Sequence, residues 1–336
     1  MKTTIQRSAL SLAALALFIA TPVITPAFAV PVVTDTISMP VGANPSGLAF
    51  TPDGEKAYVA NYDIDVVSVI TTDSQEVDHI YLPSDSAPYA VEVSPDGKKA
   101  YVANYGTDKI SVISVETDTV RKTIRLPAGS GPDGVAFSPN GKLAFVANYG
   151  DSTVSVITVA KDKVSKRIKL PADSDPYSLA ISPDGKRAYV ANYSTHSVSV
   201  INVAKGKVSS TIDLPVSARP YQVAVSPNGS VAYVANFDGD TVSAITLATG
   251  DSTTIEMPDG AVPKSVAFSP DGDQAYVANY LNSTVSVITV SSGAVATLVT
   301  LPANTGPQYI AFSPDGEQAY VANSNGTVSV ISEPVG

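Results

Sequence analysis

The stretch Ser182-Pro183-Asp184-Gly185-Lys186-Arg187-Ala188-Tyr189-Val190-Ala191-Asn192-Tyr193 occurs seven times with small changes. The prolines of its Pro-Asp/Asn-Gly core are Pro52, Pro95, Pro139, Pro183, Pro227, Pro270 and Pro314, so successive copies stand 43, 44, 44, 44, 43 and 44 residues apart. So regular a period means one supersecondary unit copied along the chain, each copy needing its neighbours to cover its apolar faces.

The fourth copy shows what the unit is. Pro176 to Ile181 is a short apolar run behind a proline, as a first strand is. Ser182-Pro183-Asp184-Gly185 is a turn, in which proline presets one backbone angle, Asp caps locally and Gly takes the left-handed position. Lys186 to Tyr193 predicts a second strand and Asn192 to Ser197 a polar loop. Val198 to Val203, rich in β-branched residues, predicts a third strand. Lys205-Gly206-Lys207 then turns into a fourth strand, Val208 to Leu214, whose polar alternation suits an edge. Four short antiparallel strands per unit make a propeller blade, and no helical periodicity competes.

The small residues Ala49, Ala136, Ala180, Ala224, Ala267 and Ala311 place the first strand innermost, around a channel. Tyr58, Tyr101, Phe145, Tyr189, Tyr233, Tyr276 and Tyr320 recur on the second strand and are expected to pack between blades. The seventh copy ends too early for a fourth strand. Residues 31–40, which match the fourth-strand ending of other copies, are expected to supply it and close the ring. The fold class is therefore all-β: a closed seven-bladed β-propeller, residues 30–336.

Residues 1–29 read as a secretory signal peptide. Lys2 and Arg7 are followed by an apolar run from Ala9 to Ala20 and by Ala27-Phe28-Ala29, a basic start, a short greasy middle and an Ala-x-Ala end. Cleavage is expected after Ala29, with a secreted, periplasmic or cell-surface location; the run is too short to span a bilayer. The chain carries 21 Lys and Arg against 31 Asp and Glu, a formal charge of −10, and −12 once Lys2 and Arg7 are removed. That balance argues against a nucleic-acid partner, which usually shows as clustered basic surface. With no Cys, thiol chemistry and thiolate zinc are excluded.

The Tyr-Val-Ala-Asn-Tyr block after Ser-Pro-Asp-Gly, followed by Val-Ser-Val-Ile, resembles the YVTN family of β-propeller repeats over nearly the whole mature chain. Its third position is Ala (Ala60, Ala103, Ala147, Ala191, Ala235, Ala278, Ala322) where the family name has Thr, and the Trp-Asp ending of WD repeats is absent because the chain has no Trp. The resemblance implies an exported, surface-layer-like propeller of archaeal or bacterial type.

Function has to sit where the copies differ. The Pro-Asp-Gly turns barely vary and read as structural punctuation. On the opposite face, the residue after the linker proline is Ser46, Tyr89, Asp133, Tyr177, Tyr221, Lys264 or Gln308, one per blade at the channel mouth. Tyr62, Tyr105, Tyr149, Tyr193, Phe237 and Tyr280 follow the repeated Asn nearby. Such a tyrosine rim suits a sugar, a peptide or a small ring compound. The bland alternative is that these rings simply cover the blade tops.

The repeated Asn itself (Asn61, Asn104, Asn148, Asn192, Asn236, Asn279, Asn323) is expected to satisfy loop backbone groups. The acidic pairs Asp63/Asp65, Asp173/Asp175 and Asp238/Asp240 lack the calcium-loop spacing and read as turn carboxylates. His79 and His196 fall in different blades at different radii. No catalytic set, cofactor or metal is indicated.

The leading expectation is a non-catalytic monomer that binds a protein or polysaccharide of the cell envelope. The alternatives are a propeller enzyme at the channel mouth (a lactone hydrolase or lyase, or a quinone-dependent dehydrogenase subunit) and, more weakly, nucleic-acid binding. The last would use an outer basic strip of Arg121, Lys122, Arg125, Lys166, Arg167 and Lys169.

Overall fold

The computed structural model describes residues 30–332, and the expected signal peptide lies outside the described residues. Within them, strands form seven antiparallel sheets of four, six built from one copy each and the seventh from the last copy and the first strand of the chain. Blade 4 runs through Pro176–Ile181, Arg187–Asn192, Ser197–Asn202 and Lys207–Asp213, within a residue or two of the expectation from sequence. The innermost strands of blades 1 to 7 are Pro45–Phe50, Pro88–Val93, Pro132–Phe137, Pro176–Ile181, Pro220–Val225, Pro263–Phe268 and Pro307–Phe312. Among the described residues no helix is long and apolar enough to cross a membrane.

The ring closes as the truncated last copy requires. Val32–Ser38 pairs antiparallel with Thr327–Ser332, from Val32 opposite Ser332 to Ser38 opposite Thr327. Ile37 and Met39 bury into one cluster with Ala322, Val328 and Val330 of blade 7 and Leu48, Val59 and Ile70 of blade 1. The first strand of the domain is thus both the outer strand of blade 7 and part of its seam with blade 1. The Pro-Asp-Gly face closes too: a Cβ on Gly54 would stand 3.5 Å from Pro314 of blade 7, just as one on Gly97 would from Pro52. Gly54 has φ +77°, which only a residue without a Cβ adopts freely.

The core lies between blades. The second-strand aromatic of one blade packs on the first strand of the next, with Tyr101–Phe137, Tyr233–Phe268 and Tyr276–Phe312 ring centroids 4.7–4.8 Å apart and Phe50–Tyr320 at 4.8 Å. At this repeat position Tyr58 and Tyr101 also reach a carboxylate of the next blade. Tyr58 donates to Asp118, and Tyr101 to Asp162 at 2.6 Å, while Lys56 and Lys99 pair with the same two carboxylates at 2.6 and 2.8 Å. Each aspartate sits in the outer turn of the following blade, so the contact staples neighbours together.

The repeated Asn departs from expectation: it mainly serves the third strand, not the loop backbone. Asn192 Nδ2 donates to Ser197 Oγ at 3.1 Å and Ser199 Oγ at 2.8 Å, and Asn148 does the same to Thr153 and Ser155. The reason is register: Asn192 pairs with Ser197 and Val190 with Ser199, which brings the amide and both hydroxyls into one buried space. Asn61 alone among these also reaches a loop-side carbonyl, that of Val66 at 3.1 Å. The repeated serines are accounted for by the same contact.

Candidate functional site in the central channel

Every innermost strand carries a register shift just after its opening proline, as between Pro176 and Ser178 or between Pro220 and Gln222. A bulge re-aims the side chain it contains. Here it puts the residue after each proline on the channel, and all seven residues expected at the mouth line one cavity of about 420 Å³.

They do not contribute alike. Ser46 is buried, and its hydroxyl donates to the Tyr89 carbonyl at 2.8 Å, so it joins blades 1 and 2. The hydroxyls of Tyr89 and Tyr221 hydrogen-bond to each other. Since these belong to blades 2 and 5, the pair spans the mouth like a bar. Asp133 and Tyr177 of blades 3 and 4 lie on one side of it, and Lys264 and Gln308 of blades 6 and 7 on the other.

Around the bar the rings are continuous. Tyr177 stacks on Tyr221 at 4.4 Å and 25°, and Tyr221 on Phe237 at 5.6 Å and 24°. Tyr149 leans on Tyr177 at 4.9 Å, and Tyr62 meets Tyr89 edge-on at 5.8 Å. The tyrosines after the repeated Asn therefore form an outer ring that buttresses the inner one. Burial pushes the Tyr89, Tyr177 and Tyr221 hydroxyls above their usual range, so they stay neutral donors.

The charged residues of the mouth are poorly solvated. Lys264 Nζ lies 3.9 Å from the Tyr280 ring centroid and donates to Gln308 Oε1 at 3.0 Å. Gln308 is held in turn by Asn44 Oδ1 at 2.6 Å and the Pro45 carbonyl at 3.0 Å. Burial lowers the Lys264 ammonium to about 8. Burial also drives the Asp133 carboxyl well above the usual carboxylate range. Both shifts are what loss of water does to a charged form.

Below the mouth lies a tier that reading the repeats did not single out. Glu92 stands where blades 1 and 3 to 7 carry alanine, and burial raises its carboxyl to about 8. Tyr309 and Gln222 also line the cavity, and the Tyr309 hydroxyl feels both Glu92 and a hydrogen bond with Gln222. The signal was available in the sequence, because a carboxylate among six alanines breaks the repeat more sharply than any mouth residue does.

Five of the remaining candidates are tied into the scaffold. Asp65 accepts the Asp85 and Ala87 amides at 2.9 Å, Asp240 those of Gly260 and Val262 at 2.8 and 2.9 Å, and His196 Nδ1 that of Arg219 at 3.1 Å. All three brace the linker into the next blade. Asp175 accepts from Ser194, and Asp238 pairs with Arg219 at 3.0 Å. Among the described residues no three acidic or histidine side chains gather as a metal site would require. In the outer basic strip, Lys122 and Lys166 donate to carbonyls of the next blade at 3.1 and 3.0 Å, and Arg167 pairs with Asp151.

Comparison with known proteins points to the same architecture. The family described as Lactonase, 7-bladed beta-propeller matches residues 33–249 and 164–303. No curated protein sequence matches the chain. Among solved structures, Kuenenia stuttgartiensis hydrazine synthase superposes with a TM-score of 0.80 at 23% identity, covering 89% of this chain and 98% of that one. A streptogramin B lyase gives 0.80 at 19% identity, covering 89% and 97%. The virginiamycin B lyase of Staphylococcus aureus gives 0.79 at 18%, covering 89% and 98%. At these identities the superpositions speak for the fold alone.

Proposed function

The chain belongs to the seven-bladed β-propeller lactonase family, and we propose that it binds a small ring compound at the mouth of its central channel. The observation that carries this is the stacked pair Tyr177 and Tyr221, backed by Phe237, which lines a cavity of ligand size and faces a single lysine. Aromatic faces supply apolar area at little conformational cost, and one well-placed cation fixes the orientation of an oxygen-bearing ring. A concave site of this volume suits a small molecule better than a broad protein surface. The resemblance of the repeats to exported propellers agrees with a binding protein of this kind.

Ring opening is a second reading, favoured by the family and by the chemistry of the mouth. In it, Lys264 holds the lactone carbonyl oxygen while water adds to the carbonyl carbon and the ring C–O bond breaks. A neutral Asp133 gives its proton to the departing alkoxide and recovers one from the attacking water.

Dihydrocoumarin, an aromatic lactone, tests both. It is expected to bind saturably, and replacing Tyr89, Tyr177 and Tyr221 together by Ala is expected to weaken binding by about tenfold or more. Binding that survives the triple substitution contradicts the proposed site. Acid release in a pH-stat, lost in Asp133→Asn, selects ring opening; binding without acid release selects a non-catalytic role.

A further inference from the structure

Asp133 is only 4% exposed and lines the cavity, yet no hydrogen bond or ion pair reaches its carboxyl among the described residues. Glu92, one tier deeper on the neighbouring blade, likewise has no hydrogen-bond partner and is turned to the same lumen. Asp133 is buried and Glu92 half-buried, and a carboxyl drawn out of water without a partner is costly, since it normally finds a donor or a cation. Their neighbours at the same strand positions are not left this way. Ser46, at the position of Asp133, has its hydroxyl bonded to the adjacent strand. The remaining blades fill the position of Glu92 with alanine.

The walls around the two carboxyls are aromatic. Tyr89, Tyr177 and Tyr221 surround Asp133 closely enough for its charge to act on each of them, and Tyr309 stands beside Glu92. Carboxylates inside a wall of electron-rich rings are complementary to an organic ammonium group, which gains from both at once. A hard divalent cation is a poorer match, because it needs six or more oxygens and two carboxyls on different tiers supply too few. Lys264 belongs to blade 6, across the channel from Asp133 on blade 3, and is positioned to take a polar oxygen at the other end of the same molecule.

We propose that the channel takes a ligand carrying a protonated amine, its ammonium group lying against Asp133 and Glu92 within the tyrosine wall. This rests on the reading of the channel mouth as the ligand site, and it narrows the ligand class from ring compounds to ring compounds bearing an amine.

The other ionisable groups facing this lumen are Lys264 and the four tyrosines, and Lys264 is held apart by Gln308 and Tyr280. Free of ligand, Glu92 holds its proton at pH 7, since burial has raised it to about 8. An ammonium beside it favours the carboxylate, so binding is coupled to release of a proton.

Benzylamine and benzyl alcohol, which share a ring and differ in charge, form the test. Calorimetric titration of residues 30–336 at pH 7 is expected to show the amine binding about tenfold or more tightly than the alcohol. Titration in two buffers of different ionisation enthalpy is expected to show net proton release for the amine and none for the alcohol. Glu92→Gln and Asp133→Asn are each expected to shrink the amine-to-alcohol affinity ratio and to reduce the proton release, because burial holds both carboxyls neutral. Alcohol binding as tight as amine binding, without proton release, overturns the proposal while leaving the ring-binding site intact. If neither compound binds, both readings fall.

Discussion

A chain starting at Val41, without the strand Val32–Ser38, is expected to lose cooperative folding and to associate. Three costs fall on the same place. Ile37 and Met39 leave a cluster shared by blades 7 and 1, and emptying a buried aliphatic site costs about 2–5 kcal/mol each. Thr327–Ser332 loses its outer partner, which exposes a β-branched edge ready to pair with another chain. The ring also opens, so the blade 7 to blade 1 seam is no longer held by continuous sheet. Against a net stability of about 5–15 kcal/mol for a folded domain, that sum is decisive. Thermal melting with size-exclusion chromatography checks it, and a synthetic peptide of residues 30–40 added in trans is expected to restore the monomeric ring in part. A truncated chain that melts like the full one, as a monomer, contradicts the closure described above.

Glu92→Gln is expected to stabilise the protein, by an amount that depends on pH with a definite sign. In the folded state burial raises the Glu92 carboxyl from 4.5 to about 8. Between those values the unfolded chain has lost the proton while the folded one keeps it, so fewer protons are bound on unfolding and wild-type stability falls as pH rises. Gln has no proton to lose. The gain of the variant over wild type is therefore near zero at pH 4, grows through pH 5–8 and levels off above pH 8. A tenfold difference in proton affinity between folded and unfolded chain is worth about 1.4 kcal/mol at most, so the plateau is on the order of a few kcal/mol. Urea unfolding of both proteins across this range measures it directly. A difference independent of pH contradicts the account of Glu92 as a carboxyl held neutral by the channel.

The fold was legible because the copies agree. Proline, Asp and Gly recur in register at every turn, and residues 31–40 repeat a fourth-strand pattern where the last copy lacks one. The mouth was legible for the opposite reason, since the residue after each linker proline differs from blade to blade. What the sequence did not display was depth. Gln222 and Tyr309 lie in the channel because the bulge behind each proline turns successive residues inward, a geometry that strict strand alternation does not predict, while Glu92 lies there at the position that alanine fills in the other blades. Nor does residue identity say that Ser46 commits its hydroxyl to the Tyr89 carbonyl while Asp133, at the same position, has no hydrogen-bond partner among the described residues. The role of the repeated Asn is hidden for a related reason. Its amide meets serines two strand positions apart on the next strand, and only the register reveals that.

Where a ligand sits decides the central question. A crystal structure of residues 30–336 grown with dihydrocoumarin is predicted to show the aromatic ring in the channel mouth, against Tyr177 and Tyr221, with its carbonyl oxygen towards Lys264. Density for the compound on the Pro-Asp-Gly face or along the outer strands, with the mouth empty, would contradict it.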